Sequence, residues 1–254
     1  MTNPTPSLPL FYRRPLLLRS QDHGRYGLRP GENFGFAAGA AAIPAVVGEF
    51  AIASSHYPIV FASDEGAMPM VVTGIENGRN LYVDGNGQWS AGQYIPGYVR
   101  RYPFIGISAQ ANAPNMLGID LDSDRLSTDA AKDGAEPFFD GEGAPTERAK
   151  AAITFCDAYA FEHERSRAFA QALVKHNLLA EKSAEVKYPD SGKAVVTGFR
   201  VVDEAVFRAL PAEVLFELHG KGWTDLIVLH LASQRCWVSL MEKSAQARAA
   251  AAAA

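Results

Sequence analysis

Glycine and proline are distributed unevenly along this chain of 254 residues. Of its 22 glycines, 18 occur at or before Gly143, and of its 15 prolines, 13 occur at or before Pro145. Glycine permits backbone angles that other residues avoid, and proline lacks the amide hydrogen that helices and inner strands need. Residues 1–144 are therefore predicted to form short mixed or antiparallel strands joined by turns, and residues 145–247 to be rich in helices. Together they form one predicted domain, residues 1–247, of the α+β class.

Local patterns predict individual elements within these two parts. Short β-branched or aromatic segments bounded by turn residues are typical of strands. In the first part they predict strands at residues 16–19, 45–47, 58–62, 69–74, 80–83, 104–108 and 116–121. From Pro145 to about Asn177, apolar residues recur at spacings of three and four, which predicts one long helix. The remaining segments are predicted to form a polar loop at 180–193, a strand at 195–202, a buried strand at 226–231 and a disordered alanine tail at 248–254.

Charge and hydropathy exclude several classes of protein. Lysine and arginine number 24 against 28 aspartates and glutamates, so the formal net charge is −4 and does not favour nucleic acid. Hydrophobic residues make up 48 % of the chain, which excludes a largely disordered protein. The longest weakly polar run, residues 36–48, is too short to span a bilayer. Residues 1–10 lack the features of a secretory signal peptide, which favours a cytoplasmic location; the alternative is the cell surface, reached without such a signal.

Motifs that carry known chemistry are absent from the sequence. Cys156 and Cys236 stand 80 residues apart, outside any C-x-x-C pair, and are predicted to be buried thiols. Neither a G-x-S-x-G elbow nor a nucleotide-binding glycine motif occurs. Alternate carboxylates begin at Asp120, but Arg125 stands where a calcium loop needs glycine, so a strand end with a polar face is predicted. No cofactor or metal is predicted, and whether the chain is an enzyme stays open.

The candidate ligand-binding groups are aromatic, histidine and arginine side chains. Arg100 and Arg101 cannot act as one clamp on a strand, because neighbouring side chains point to opposite faces, but one of them could anchor an anion in a cleft lined by Tyr94, Tyr98 and Tyr102. His230 interrupts an apolar run and therefore needs a hydrogen-bond partner. Two histidines with one glutamate would suit iron or zinc, but the sequence does not bring them together. The candidate residues are His23, Glu49, His56, Trp89, Tyr94, Tyr98, Arg100, Arg101 and His230.

Several aromatic stretches, some with proline, stand out when they are considered together. They are Y-P-I-V-F at 57–61, N-L-Y-V-D at 80–84 with Trp89, Y-I-P-G-Y-V-R-R-Y-P-F at 94–104, F-Y-x-x-P from Phe11, and G-F at 198–199. In this combination, and most specifically in residues 94–104, the chain resembles the bacterial SapC family over nearly its whole length. Aromatic residues dominate both cores and interfaces, so the block suits either role.

The resemblance implies a link to a paracrystalline surface layer and to serum resistance, and it brings no established catalytic residues. It does not extend to the peptide-uptake permease of the same name, which would need several transmembrane helices. Two hypotheses follow. The first is a non-enzymatic surface-layer-associated or protein- or peptide-binding protein that binds a protein partner or self-associates. The second is a cytoplasmic enzyme or small-ligand-binding protein with a pocket lined by arginine, histidine and tyrosine.

Overall fold

A computed structural model describes residues 8–107, 116–188 and 192–252 of the chain, without the side chain of Lys187. The chain divides into two compact units, each built from two separate stretches. The first unit comprises Met1–Glu32 and Arg100–Phe161, and the second comprises Asn33–Val99 and Glu162–Ala254. Each unit contains strands from well-separated parts of the chain, and the single domain expected at residues 1–247, with its parts at 1–144 and 145–247, stays a prediction.

The strands of the described chain are short, apart from one hairpin. In chain order they are β1 (Pro15–Leu17), β2 (Gly27–Leu28), β3 (Ala42–Pro44), β4 (Ile59–Ala62), β5 (Pro69–Val72), β6 (Phe104–Ile107), β7 (Met116–Asp120), β8 (Leu126–Ser127), β9 (Glu136–Pro137), β10 (Leu179–Lys187) and β11 (Lys193–Val202). The first unit contains the sheets β1-β7-β6 and β8-β2-β9, and the second contains β10-β11-β4-β5-β3. Every described strand pair is antiparallel.

Helices occupy much of the remaining chain and confirm the α+β class. They are α1 (Ser20–His23), α2 (Phe50–Ala53), α3 (Gly97–Arg101), α4 (Ala130–Asp133), α5 (Glu147–Lys175), α6 (Glu204–Arg208), α7 (Ala212–Gly220), α8 (Trp223–Ser233) and α9 (Cys236–Ala252), with short 3-10 turns at Gly35–Ala37 and Val47–Glu49. The long helix expected from Pro145 is confirmed as α5. Within the described stretches, no helix is both long and apolar enough to cross a membrane.

The first unit has an apolar core that includes Leu28, Phe104, Ile119 and Phe138. Asp120, at the end of β7, is fully buried, so the expected polar strand face is wrong for this residue. Its carboxylate accepts hydrogen bonds from the backbone N–H groups of Arg13 and Arg14 and from the hydroxyl of Tyr102, at 3.2, 2.7 and 3.1 Å. Asp120 therefore stabilises the segment that leads into β1.

The sheet of the second unit has two faces of different character. Because side chains alternate along a strand, Ile59 and Phe61 share one face, and Val60 lies on the other. The first face packs against helices: the Phe61 ring lies 6.1 Å from Phe169 of α5 and 4.9 Å from His230 of α8. The strands expected at 58–62, 69–74 and 195–202 are confirmed as β4, β5 and β11.

Four sequence predictions in this unit are wrong. Residues 226–231 belong to α8, where Ile227, His230 and Ser233 are buried at a spacing of three while Val228 is exposed. The polar residues 180–187 form β10 and not a loop, because they pair along the length of β11. The strand expected at 80–83 is reduced to a single bridge between Val83 and Trp89, and β3 lies at Ala42–Pro44 in place of 45–47.

The alanine tail also differs from its expected state. Helix α9 continues to Ala252, through five of the residues expected to be disordered. Alanine has the highest helix propensity, and side chains near this end attach the helix to the β10–β11 hairpin. Ser244 hydrogen-bonds to the Tyr188 hydroxyl at 2.7 Å, and the Arg248 guanidinium lies 4.7 Å from the centre of the Tyr188 ring.

Candidate functional site

A hollow of about 460 Å³ lies beside the sheet of the second unit, on the face that carries Val60. Its floor consists of Val60, Met70 and Val72, which share one face of neighbouring strands. The turn at 74–77 forms one wall, and residues 194–199 of β11 form the other. The volume lies within the roughly 300–1,000 Å³ typical of ligand sites. We call this hollow the sheet-edge groove.

Strand β11 borders the sheet-edge groove with its backbone edge. Every residue from Ala194 to Phe199 lines the groove, whereas one face of a strand would contribute only alternate residues. Strand β10 contributes no residue to the described lining, so the groove lies along the opposite edge of β11. On that edge, β4 pairs only with Phe199 and Arg200. Within the described part of the chain, residues 193–198 have no strand partner there.

Arg200 explains why β4 ends before it can cover this edge. Its guanidinium donates hydrogen bonds from Nε and Nη2 to the carbonyl oxygen of Ala62, at 3.0 and 2.7 Å, and also to the carbonyl of Asp64. The chain then returns to β5, with the N–H of Ala62 bonded to the carbonyl of Met68 at 3.0 Å. Gly198, whose φ is +78°, also interrupts the regular path of β11. The β10–β11 hairpin therefore extends beyond the end of β4.

The opposite wall of the groove is tightly built. A Cβ atom on Gly74 would lie 1.8 Å from the carbonyl oxygen of Arg79, so only glycine fits there. The neighbouring Thr73 is fully buried, and its hydroxyl donates to the carbonyl of Ala40 at 2.6 Å. The groove therefore has one wall fixed by backbone packing and one formed by a strand edge, on which Val195 keeps 56 % of its surface exposed.

Glu49 and Tyr94 are brought together, as part of a buried network. The Glu49 carboxylate, only 6 % exposed, accepts hydrogen bonds from the Tyr94 hydroxyl and the Gly97 N–H, both at 2.5 Å, and from the Val46 N–H at 3.3 Å. A Cβ on Gly97 would lie 2.8 Å from this carboxylate, so the packing is close. The geometry assigns Glu49 to holding the turn at 46–49 against the start of α3.

Trp89 belongs to the adjoining aromatic core. Its indole N–H donates to the Tyr57 hydroxyl at 3.2 Å, and the Tyr57 hydroxyl donates to the carbonyl of Tyr94. Burial raises the pKa of Tyr57 well above its ordinary value, which keeps this hydroxyl protonated as a donor. Trp89 stacks on Tyr82, and Tyr98 is also buried. These residues form core, and none of them lines the sheet-edge groove.

The three candidate histidines occupy separate places. His23 lies in the first unit, where its Nδ1 accepts a hydrogen bond from the Arg19 N–H at 3.1 Å. His56 contacts the side-chain oxygen of Gln93 at 3.3 Å. His230 is fully buried; its Nε2 accepts the N–H of Val202 at 3.0 Å, and its buried Nδ1 has no hydrogen-bond partner among the described residues. Among the described residues, no group of three histidine, cysteine, aspartate or glutamate side chains could hold a metal.

Arg100 and Arg101 end helix α3 and do not lie on a strand. The expectation that they point to opposite faces is therefore wrong, and both line one hollow of about 230 Å³ in the first unit. The described lining of this hollow is formed by phenylalanine, alanine and a third arginine, Arg148, and the tyrosine-lined cleft expected from the sequence stays a prediction. Arg148 was missed because only the fold brings α5 next to residues 100–104.

Both cysteines are free and buried, as the sequence predicts. Burial raises the pKa of the Cys156 thiol to about 11, although the nearby Arg101 guanidinium acts in the opposite direction. At pH 8 we expect native Cys156 to react with a thiol reagent about two orders of magnitude more slowly than an exposed cysteine, because the thiolate is the reactive form. A Cys236→Ala variant isolates the signal, and labelling in urea gives the exposed rate. Equal native and denatured rates would contradict the burial of Cys156.

These features define an α+β protein with a sheet-edge groove in its second unit. The sequence model of the SapC family matches residues 18–240. The chain therefore belongs to the SapC family, and the resemblance seen in residues 57–61, 80–84 and 94–104 is confirmed. Neither the curated proteins nor the solved structures provide a match.

Proposed function

We propose that this protein binds an extended peptide segment of a protein partner in the sheet-edge groove. The observation that carries the proposal is the edge of β11 at residues 193–198, which lacks a described strand partner and borders the sheet-edge groove. Six residues of strand span about 20 Å, which is enough for a partner strand to form several backbone hydrogen bonds. Addition of a strand to an exposed edge is a common mode of peptide recognition.

The groove also suggests the side chains of the partner. In a strand laid along β11, alternate side chains would point to the floor formed by Val60, Met70 and Val72. Small or medium apolar residues at alternate positions suit this floor, while the intervening residues remain in solvent. The side chain of Glu76 stands at the rim, 3.8 Å from the Arg248 guanidinium, which partly neutralises its charge, so the rim gives no charge preference for the partner.

The test uses a library of extended peptides displayed on phage and selected against the whole protein. Val195→Lys places a charge at the groove edge, and Val228→Lys is its matched control, because both valines are 56 % exposed and Val228 lies on α8. We expect Val195→Lys to weaken the selected peptides by about tenfold or more, since a lysine on an edge strand opposes pairing. The control should bind as the wild type does, as measured by fluorescence polarisation.

Hydrogen exchange provides a second readout. A peptide paired with β11 protects backbone amides within residues 193–198 from exchange, whereas a peptide bound elsewhere does not. Peptides that bind Val195→Lys and the wild type equally, without this protection, would contradict the proposal.

The finer form of the proposal is that the partner belongs to the cell surface layer. It is supported by the membership of this chain in a family linked to that layer. The test is protease treatment of intact cells that produce the protein, with a cytosolic protein as control. Cleavage of this protein while the control survives supports a surface partner. Protection of both restricts the peptide-binding role to partners inside the cell.

A further inference from the structure

The 230 Å³ hollow of the first unit, which we call the arginine hollow, combines positive charge with aromatic surface. Arg100, Arg101 and Arg148 line it together with Phe104, Phe155 and two alanines of α5. A molecule of liquid water occupies roughly 30 Å³, so the hollow has room for a small organic anion. All of these residues belong to the first unit, so the hollow is separate from the sheet-edge groove.

Aromatic rings hold two of the guanidinium groups by their flat faces. The Arg100 guanidinium lies 5.4 Å from the centre of the Phe155 ring, and the Arg101 guanidinium lies 4.5 Å from that of Tyr159. A guanidinium presents its N–H groups in its own plane, where carboxylate and phosphate oxygens are bound. The ring contacts restrict the positions of the two guanidinium groups before any ligand arrives.

One nitrogen atom in each of Arg148 and its neighbour Arg125 lacks a hydrogen-bond acceptor in the described part of the chain. The Nε atom of each is buried and has no hydrogen-bond partner within the described structure. The Glu136 carboxylate lies 3.4 Å from Arg148 Nε, without hydrogen-bond alignment, and its side chain is 63 % exposed. Burial and the positive charge of Arg148 both lower the pKa of Arg125. Buried donors without acceptors are costly, so an added anion would stabilise this region.

We propose that the arginine hollow binds a small phosphate ester, with its phosphoryl group among the guanidinium groups and its organic group against Phe104 and Phe155. A phosphoryl dianion suits the hollow better than a carboxylate, because its three peripheral oxygens can accept from three guanidinium groups at once. The apolar wall favours an ester with an aromatic or aliphatic group over free phosphate.

The test is calorimetric titration of the whole protein with phenyl phosphate, inorganic phosphate and benzoate. We expect saturable binding of one phenyl phosphate per chain, with weaker binding of the other two compounds. Arg148→Gln should weaken phenyl phosphate binding by about tenfold to a hundredfold, because hydrogen bonds to charged groups are worth that much. Arg148→Lys keeps the charge and loses the planar fork, so it should also weaken binding, and it provides the test if Arg148→Gln does not fold.

Arg165→Gln is the matched control, since Arg165 lies on the same helix, exposed and paired with Glu162. It should bind phenyl phosphate as the wild type does, and so should Val195→Lys, which separates this site from the sheet-edge groove. The absence of saturable binding at millimolar phenyl phosphate would overturn the proposal. So would equal binding by Arg148→Lys and the wild type, or equal weakening by Arg165→Gln, which would indicate a general charge effect.

Discussion

Replacing Glu49 with alanine is expected to lower the free energy of unfolding by about 3 kcal/mol or more. The substitution removes the acceptor for the Tyr94 hydroxyl and for the N–H groups of Gly97 and Val46. The two N–H groups are buried and the Tyr94 hydroxyl is half-buried, so water does not easily replace the carboxylate and the lost hydrogen bonds remain costly. Urea unfolding followed by tryptophan fluorescence and far-ultraviolet circular dichroism measures the effect.

Two further variants separate the lost hydrogen bonds from a general effect of mutation. Glu49→Gln keeps one acceptor oxygen and replaces the other with a donor, so it should be less destabilising than Glu49→Ala. Glu204→Ala removes a carboxylate that is 53 % exposed and pairs with Arg208 on the helix surface, and it should change stability little. If Glu49→Ala were as stable as Glu204→Ala, the network around Glu49 would not contribute to the fold.

His230 should make the protein less stable as the pH falls from about 6.5 to about 4. Burial lowers the pKa of His230 to about 4 in the folded protein, against an ordinary value of 6.5. Above pH 6.5 the His230 imidazole is neutral in both the folded and the unfolded protein, so its titration does not reduce the free energy of unfolding. Between the two values the unfolded chain binds a proton that the folded protein does not, and stability is lost, on the order of 3 kcal/mol by pH 4.

The measurement is the urea midpoint of unfolding at several pH values between 7 and 4. His230→Gln, whose side-chain amide stays neutral, should lose less stability over this interval than the wild type. His163→Gln, at a histidine that is 44 % exposed on α5, controls for the substitution itself. Parallel curves for the wild type and His230→Gln would rule out a linkage between His230 and stability.

The sequence predicted those elements that depend on local pattern. The spacing of apolar residues from Pro145 onward defines α5, because a helix places residues three and four apart on one face. Short β-branched runs next to proline or glycine define β4 and β5. In contrast, residues 226–231 form a short apolar run that is compatible with a strand or a helix, and only the packing of His230 against Phe61 decides between them.

The sites depended on contacts between distant residues, which no local pattern contains. Nothing near residue 100 indicates Arg148. The edge of β11 that lacks a strand partner in the described chain begins next to Arg200, whose side chain bonds to the carbonyl of Ala62, 138 residues earlier. Glu49 and Tyr94 are ligand-binding candidates in the sequence because a carboxylate and a hydroxyl can hydrogen-bond to a ligand. In the fold, these two groups hydrogen-bond to each other. A polar side chain among aromatic residues therefore needs a hydrogen-bond partner. The fold determines whether a ligand or another group of the protein provides that hydrogen bond.

The order of strands in the second unit has a consequence for synthesis on the ribosome. Strand β4 ends at Ala62 and its neighbour β11 ends at Val202, so 202 − 62 = 140 residues must be added before the pair can form. At about 5–20 residues per second, this takes roughly ten seconds or more. During that time the nascent strands β3 to β5 expose an unpaired edge and an apolar face. We therefore expect the chain to depend on chaperones most strongly during this interval.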